Sequence, residues 1–218
     1  MLVQELMTRD PVTTTPETPL PDALNLMRER KVRRLPVIGK SGKLVGIVAE
    51  KDLLYASPSP ATSLSVFEIN SLIAKITIAS LMTRTVVTVT EDTPVEEAAR
   101  IMTDQKIGGL PVMDGDNLVG IVTETDLFRA LLQLLGGRRP GLRVKVQVSG
   151  AKGTFAEVAG VIAKTGGNIV GLGVNEVSDA ADSPWNMTFK VQDVSKGELI
   201  SALGKAGIRL LDAREVKA

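Results

Sequence analysis

Leu44-Val45-Gly46-Ile47-Val48-Ala49-Glu50-Lys51-Asp52 returns 74 residues later as Leu118-Val119-Gly120-Ile121-Val122-Thr123-Glu124-Thr125-Asp126. Upstream, Leu35-Pro36-Val37 matches Leu110-Pro111-Val112, Thr18-Pro19 matches Thr93-Pro94, and Leu6-Met7-Thr8-Arg9 matches Leu81-Met82-Thr83-Arg84, all at a spacing of 75. Of 47 aligned positions, 23 are identical. Chance would give a handful, so the first two thirds of the chain is an internal duplication.

Both copies have the same local pattern. Val12 to Thr15 is β-branched and reads as a short strand, as does the stretch at Val87. Thr18-Pro19 and Thr93-Pro94 place a cap and a first-turn proline before a helix. Ala23, Leu24, Met27 and Lys31 follow at helical spacing. Leu35 to Ile38 and Leu44 to Val48 are two further strands, joined through Gly39 to Gly42. The second of them is apolar throughout, which suits burial on both faces. Another helix opens at Glu50, and at Glu124 in the second copy. Each unit is β-α-β-β-α and too small to bury much core alone, so the two are expected to pack as one body about a pseudo-twofold axis.

Residues 1–56 and 78–137 are the two repeats. The connecting segment, 57–77, holds a Ser57-Pro58-Ser59-Pro60 loop and a capping box at Ser65-Val66-Phe67-Glu68 that opens a helix to about Lys75. Gly136 to Gly141 breaks every regular pattern, giving a linker at 138–142. Beyond it, 143–218 reads β-α-β-β-α-β. Arg143 to Val148 alternates as a half-buried strand does. Thr154-Phe155-Ala156-Glu157 and Ser195-Lys196-Gly197-Glu198 are capping boxes, and Ile169 to Val177 is a strand containing Gly171 and Gly173. The order predicts an antiparallel sheet with helices on one face. The fold class is therefore α+β throughout.

Composition narrows the function. The 218 residues include 26 Lys+Arg and 25 Asp+Glu, so no broad electrostatic grip on nucleic acid or an anionic membrane is expected. Aromatics are 3%, too few for base-stacking platforms. There is no Cys and no His. That removes Cys/His metal sites, a Cys nucleophile and a His general base. The acids form no clear pair, and no loop fits a phosphate-binding Gly-x-x-x-x-Gly-Lys motif. No enzymatic role, catalytic cofactor or metal is expected. Met7, Met27, Met82 and Met102 fall at equivalent positions and read as core or cleft lining. The start of the chain has no signal-peptide pattern, and no apolar run nears the roughly 18 residues of a membrane span, so the expectation is a soluble cytoplasmic protein.

On the motifs quoted, the duplication resembles a pair of CBS domains, a Bateman module. The C-terminal stretch resembles the ACT family, through Gly153-Thr154-Phe155-Ala156-Glu157-Val158 and Gly166-Gly167-Asn168-Ile169. The order CBS–CBS–ACT is similar to bacterial acetoin-utilisation regulatory proteins. The resemblance implies a sensor that binds an adenosine-containing ligand, such as AMP, ADP, ATP or S-adenosylmethionine, and passes the signal to the ACT domain or a protein partner; the alternatives are a structural oligomerisation module without a ligand, which Ala49 and the plain loop before Thr154 favour, and, further off, an enzyme of unrecognised type. It also implies a homodimer.

The implied family motif, Gly-x-x-Thr/Ser-x-x-Asp, is complete in Gly120, Thr123 and Asp126. An Asp carboxylate accepts hydrogen bonds from both ribose hydroxyls, and a Thr at a helix start sits beside unpaired N–H groups that suit phosphate. The same pair also reads as a plain capping box. In the first repeat Asp52 remains but Ala49 replaces the hydroxyl, so tighter binding is expected at Asp126. Arg33 and Arg34 stand where the second repeat has Gly108 and Gly109. The arginines are phosphate ligands or a solvated cluster; the glycines allow close approach of a base or sugar, or form a turn. Thr13 and Thr88 are base contacts or ordinary strand residues. In the C-terminal domain the resemblance implies a small amino-acid-like ligand at Lys152, Gly153, Thr154, Asn168 and Ile169, against turn, cap and helix-stop roles for the same residues.

Overall fold

The computed structural model describes residues 1–56, 73–177 and 183–217. The loop at Ser57, the capping box at Ser65 and most of the expected turn from Ser178 lie outside the described residues. The chain divides into two compact units, Met1–Leu127 and Phe128–Ala218.

In the first unit the elements are β1 (Thr8–Arg9), α1 (Leu20–Arg30), β2 (Arg34–Ile38), β3 (Leu44–Ala49), α2 (Glu50–Tyr55), α3 (Ile78–Leu81), α4 (Val95–Gln105), β4 (Gly109–Asp114) and β5 (Asn117–Thr123). Helix α5 (Glu124–Leu134) contains the boundary between the units. β2–β3 and β4–β5 are antiparallel hairpins with matching irregularities, after Val37 and after Val112. The expected strands at Val12 and Val87 reduce to single parallel bridges, Thr14 to Val37 and Val89 to Val112.

The leading segment of each repeat pairs with the other repeat. Thr8 lies opposite Ile121 and Arg9 opposite Gly120, whereas Thr83 lies opposite Ile47. The cores follow this exchange. Val3 and Met7 are buried with Val89, Met102, Leu110 and Val122 of the second repeat. Ile78 and Met82 are buried with Leu20, Met27, Leu35 and Val48 of the first. All four repeat-equivalent methionines are therefore core residues. Gly46 and Gly120 make room for the exchange: a Cβ on Gly120 would stand 2.5 Å from Met7 Sδ, and one on Gly46 would stand 2.6 Å from Met82 Sδ.

The helix caps differ from the sequence reading. Pro19 and Pro94 are themselves the N-caps, each extended, and make no side-chain cap bond. Thr18 and Thr93 instead accept from the N–H of Thr15 and Thr90, closing the preceding turns. α1 and α4 end alike, on Lys31 (φ 55°) and Lys106 (φ 54°) in the left-handed region. In each, the next N–H reaches back five residues, Val32 to Met27 and Ile107 to Met102, which is the Schellman arrangement usually built on glycine.

The second unit holds β6 (Gly141–Val148), α6 (Thr154–Lys164), β7 (Asn168–Glu176), β8 (Trp185–Gln192), α7 (Lys196–Lys205) and β9 (Arg209–Val216). The sheet order is β7-β8-β6-β9, antiparallel throughout, the split βαβ arrangement. Val158 and Ile162 of α6 and Leu199 and Leu203 of α7 bury the face carrying Leu142, Val144, Val146 and Phe189. Ser195 caps α7, accepting from Glu198 N–H at 3.3 Å. Thr154 does not cap α6: Gly153 (φ 89°) is the N-cap, and the Thr154 hydroxyl donates to the Ala151 carbonyl.

Of the expected linker, 138–142, Gly141 and Leu142 belong to β6. α5 closes in a Schellman turn at Gly136 (φ 62°), with Gly137 N–H on the Leu132 carbonyl and Gly136 N–H on that of Gln133. Leu135 and Gly136 then lie directly on Gly171, where a Cβ would collide with their backbone. The glycines of β7 thus accommodate a segment of the same chain.

Candidate functional site

Arg34 opens β2, opposite Ala49 at the end of β3; Arg33 precedes it and its carbonyl accepts from the N–H of Glu50, where α2 begins. This geometry sets the two arginines beside the start of α2. A cleft of about 460 Å³ lies there, lined by Arg33, Arg34, Ala49, Lys51, Asp52 and Glu50 of the first repeat. From the second repeat come Thr83 to Val87 (without Arg84), Lys106 to Gly109, and Glu124. The strand exchange explains the mixture: pairing of Thr83 with Ile47 delivers the Thr85 segment to the helix that carries Asp52.

Asp52 accepts from Ala49 N–H at 3.1 Å, the carboxylate half of a capping box that Ala49 cannot reciprocate. Arg34 runs from the first repeat over Gly108 and Gly109 of the second. A Cβ on Gly108 would collide with the Arg34 guanidinium and stand 2.5 Å from Glu124 Oε2. Neither glycine has a positive φ, so these residues are small to admit Arg34 and not to form a left-handed turn. Arg34 is 3.7 Å from Glu124 Oε2, a loose ion pair with the Arg34 side chain 22% exposed. Burial lowers the Arg34 pKa below the ordinary arginine value, Glu124 pulls it up, and Arg33 lowers it further. Arg33 reaches Thr125 Oγ1 at 3.5 Å. Four cations (Arg33, Arg34, Lys51, Lys106) and three acids (Glu50, Asp52, Glu124) thus line one cleft.

Five of the nine residues expected in a nucleotide site, Asp52, Arg33, Arg34, Gly108 and Gly109, come together here. Thr123 and Asp126 lie at the equivalent helix start, where Asp126 is 5% exposed. Its Oδ2 accepts from Thr123 N–H at 2.9 Å and from the Thr123 hydroxyl at 2.7 Å. Thr13 is exposed and away from the Asp52 cleft; Thr88 lines a separate hollow with Lys43 and Asp116. Sequence reasoning missed Lys51, Lys106, Glu124 and the Thr85 segment. The available signal was the repeat itself, since Lys106 is the counterpart of Lys31.

The expected C-terminal site is not assembled within one chain. Lys152, Gly153 and Thr154 follow β6 at the end where Val148 pairs with Trp185. Asn168 pairs with Gln192 and Ile169 with Val191, at the other end of β8. Seven residues of strand separate the two ends, about 23 Å at ~3.3 Å per residue. Ile169 is also partly buried against the core. Among the described residues no helix is long and apolar enough to cross a membrane.

Comparison with known proteins agrees with this geometry. The CBS domain of protein MJ0100, solved in complex with 5′-methylthioadenosine and S-adenosyl-L-methionine, is 31% identical. It covers 64% of this chain and 98% of its own, with a TM-score of 0.51. CBSX2, solved in complex with AMP, is 36% identical over 61% of this chain and 96% of its own, at a TM-score of 0.50. A protein assigned to acetoin utilization, AcuB from Vibrio cholerae, is 34% identical over 62% of this chain and 92% of its own, at 0.51. The CBS domain profile matches residues 3–59 and again 78–133, more than half of the chain. With two such matches on two intertwined repeats, the chain belongs to the CBS-domain family and carries a tandem CBS pair.

Proposed function

We propose that the chain is a regulatory sensor that binds a phosphate-bearing adenosine ligand in the cleft around Asp52. The carrying observation is that the Asp52 carboxylate, three residues into a helix start, shares a cleft of about 460 Å³ with Arg33, Arg34, Lys51 and Lys106. Asp52 suits the ribose hydroxyls, and the guanidinium and ammonium groups suit phosphate. Thr123 and Asp126 belong to the counterpart of this cleft, since Thr8 meets Ile121 as Thr83 meets Ile47. The AMP complex of CBSX2 and the adenosyl complexes of MJ0100 support an adenosine ligand. The excess of cations favours a phosphorylated one over the sulfonium of S-adenosylmethionine.

In this reading the C-terminal unit is an ACT-type domain that responds to the CBS pair, and the protein works as a homodimer. Support comes from its β7-β8-β6-β9 sheet order and from the Gly153 helix start. Calorimetric titration with AMP, ATP and S-adenosylmethionine tests the reading. AMP or ATP should bind with Kd below millimolar, and Asp52→Ala should weaken binding by at least about tenfold, the scale of one charged hydrogen bond. Absence of binding by every adenosine compound at millimolar concentration overturns it.

A further inference from the structure

A second cationic hollow lies in the C-terminal unit, where nothing in the CBS pair requires one. It has a volume of about 340 Å³ and is lined by Arg129, Leu132, Gln133, Gly136, Arg138 and Arg139. Three arginines line it, with no carboxylate in the lining. A helix C-terminus alone attracts a cation, because its last carbonyls carry partial negative charge. Here most of those carbonyls are taken up by the closing turn. Leu131 accepts from Leu135 N–H, Leu132 from Gly137 N–H, Gln133 from Gly136 N–H, and Gly136 from Arg139 N–H. The last of these also fixes the backbone of Arg139 against the helix end. Arg138 and Arg139 make no ion pair among the described residues.

The neighbouring residue on the sheet adds an independent observation. Lys190 is 5% exposed and has no ion-pair or hydrogen-bond partner for its ammonium among the described residues. Its Cγ lies 3.2 Å from where a Cβ on Gly136 would stand, so it abuts the same turn. Burial and the nearby Arg143 hold its pKa below the ordinary lysine value. Arg138 and Arg139, with no ion pair among the described residues, and the Lys190 stem packed on the same turn make this a cationic corner that an anion would relieve.

We propose that the hollow formed by Arg129, Arg138 and Arg139 binds a phosphate-bearing small molecule. Guanidinium forks match the oxygens of a phosphate group. Gln133 adds neutral hydrogen-bonding groups. Leu132 supplies an apolar wall, and the volume admits an organic body as well as the phosphate. The site is independent of the Asp52 cleft and stands or falls separately from it.

The test uses full-length protein and pyrophosphate as the probe. Arginine modification with phenylglyoxal, mapped by peptide mass spectrometry, reports location directly. Pyrophosphate should slow modification of Arg138 and Arg139 at least about fivefold and leave Arg30 and Arg209 unchanged. In titration, the Arg138→Ser/Arg139→Ser variant should lose pyrophosphate affinity at least tenfold while its AMP binding stays unchanged. Should that variant misfold, Arg138→Lys/Arg139→Lys keeps the charge and removes the forks, and should still weaken binding severalfold. Unchanged modification rates at Arg138 and Arg139, or pyrophosphate binding lost only with Arg33→Ser, overturns the proposal.

Discussion

Arg34 and Gly109 hold the same position in the two repeats, and they touch: a Cβ on Gly109 would stand 3.0 Å from Arg34 Cδ. Equivalent positions that meet lie on the pseudo-twofold axis. One repeat fills that place with a guanidinium and the other leaves it empty, so the axis itself is charged on one side. A methyl group at Gly108 must displace both the Arg34 guanidinium and the Glu124 carboxylate. Gly108→Ala should therefore weaken AMP binding about tenfold or more. The melting temperature should stay within a few degrees, because the displaced groups are ends of flexible side chains. Parallel calorimetry and thermal melts check this; unchanged affinity would show that Arg34 does not meet the ligand.

Lys31 and Lys106 each hold a left-handed backbone that glycine adopts without penalty. Lys31→Gly should raise stability by up to about 1 kcal/mol, the scale of relieving such a residue, as read by urea denaturation. Lys106→Gly should do the same while reducing affinity for AMP, because Lys106 lines the Asp52 cleft.

Gly46 and Gly120 face Met82 and Met7 across the exchanged strands, with the carbonyls of Thr83 and Thr8 only 3.1 and 3.2 Å from the Cβ positions. A thioether can move; these strand carbonyls are held by pairing. Gly46→Ala and Gly120→Ala should each destabilise the first unit by about 1–3 kcal/mol, the cost of overpacking. Denaturant midpoints of the two variants should shift in the same direction.

Acid should remove the modest stabilisation contributed by specific surface carboxylates. Asp116 is lowered by its hydrogen bond and charge interaction with Lys43, Glu97 by Arg100, and Asp212 by Arg214 and Arg143. A depressed carboxylate contributes stability that is present above its unfolded pKa and is lost as pH falls through the folded value. Stability should therefore decline as pH drops below about 4. Asp212→Asn should flatten part of that decline, measurable as melting temperature against pH.

The repeat, its strands and helices, and the βαββαβ order were legible because periodicity and turn residues are local properties. Asp52, Arg33 and Arg34 were legible as a group because the duplication aligned them against Asp126, Gly108 and Gly109. The exchange of leading segments was not legible: Thr8 and Thr83 carry no mark of which repeat they pair with. Lys106 and Glu124 were missed because they come from the second repeat, where Gly108 meets Arg34 of the first. Gly171 announces close approach within a strand without naming what approaches. Here it is Leu135 and Gly136 of the same chain.

Because Val3 and Met7 complete the core of the second repeat while Ile78 and Met82 complete that of the first, a solitary repeat would leave its own leading segment unused and its own core open. Two separate copies would have to trade those segments, and their folding would then depend on how often they met. Joining the copies in one polypeptide makes that trade internal, so the pair assembles at any dilution. It also frees the two halves to diverge, which let arginine arise on one side of the axis and glycine on the other.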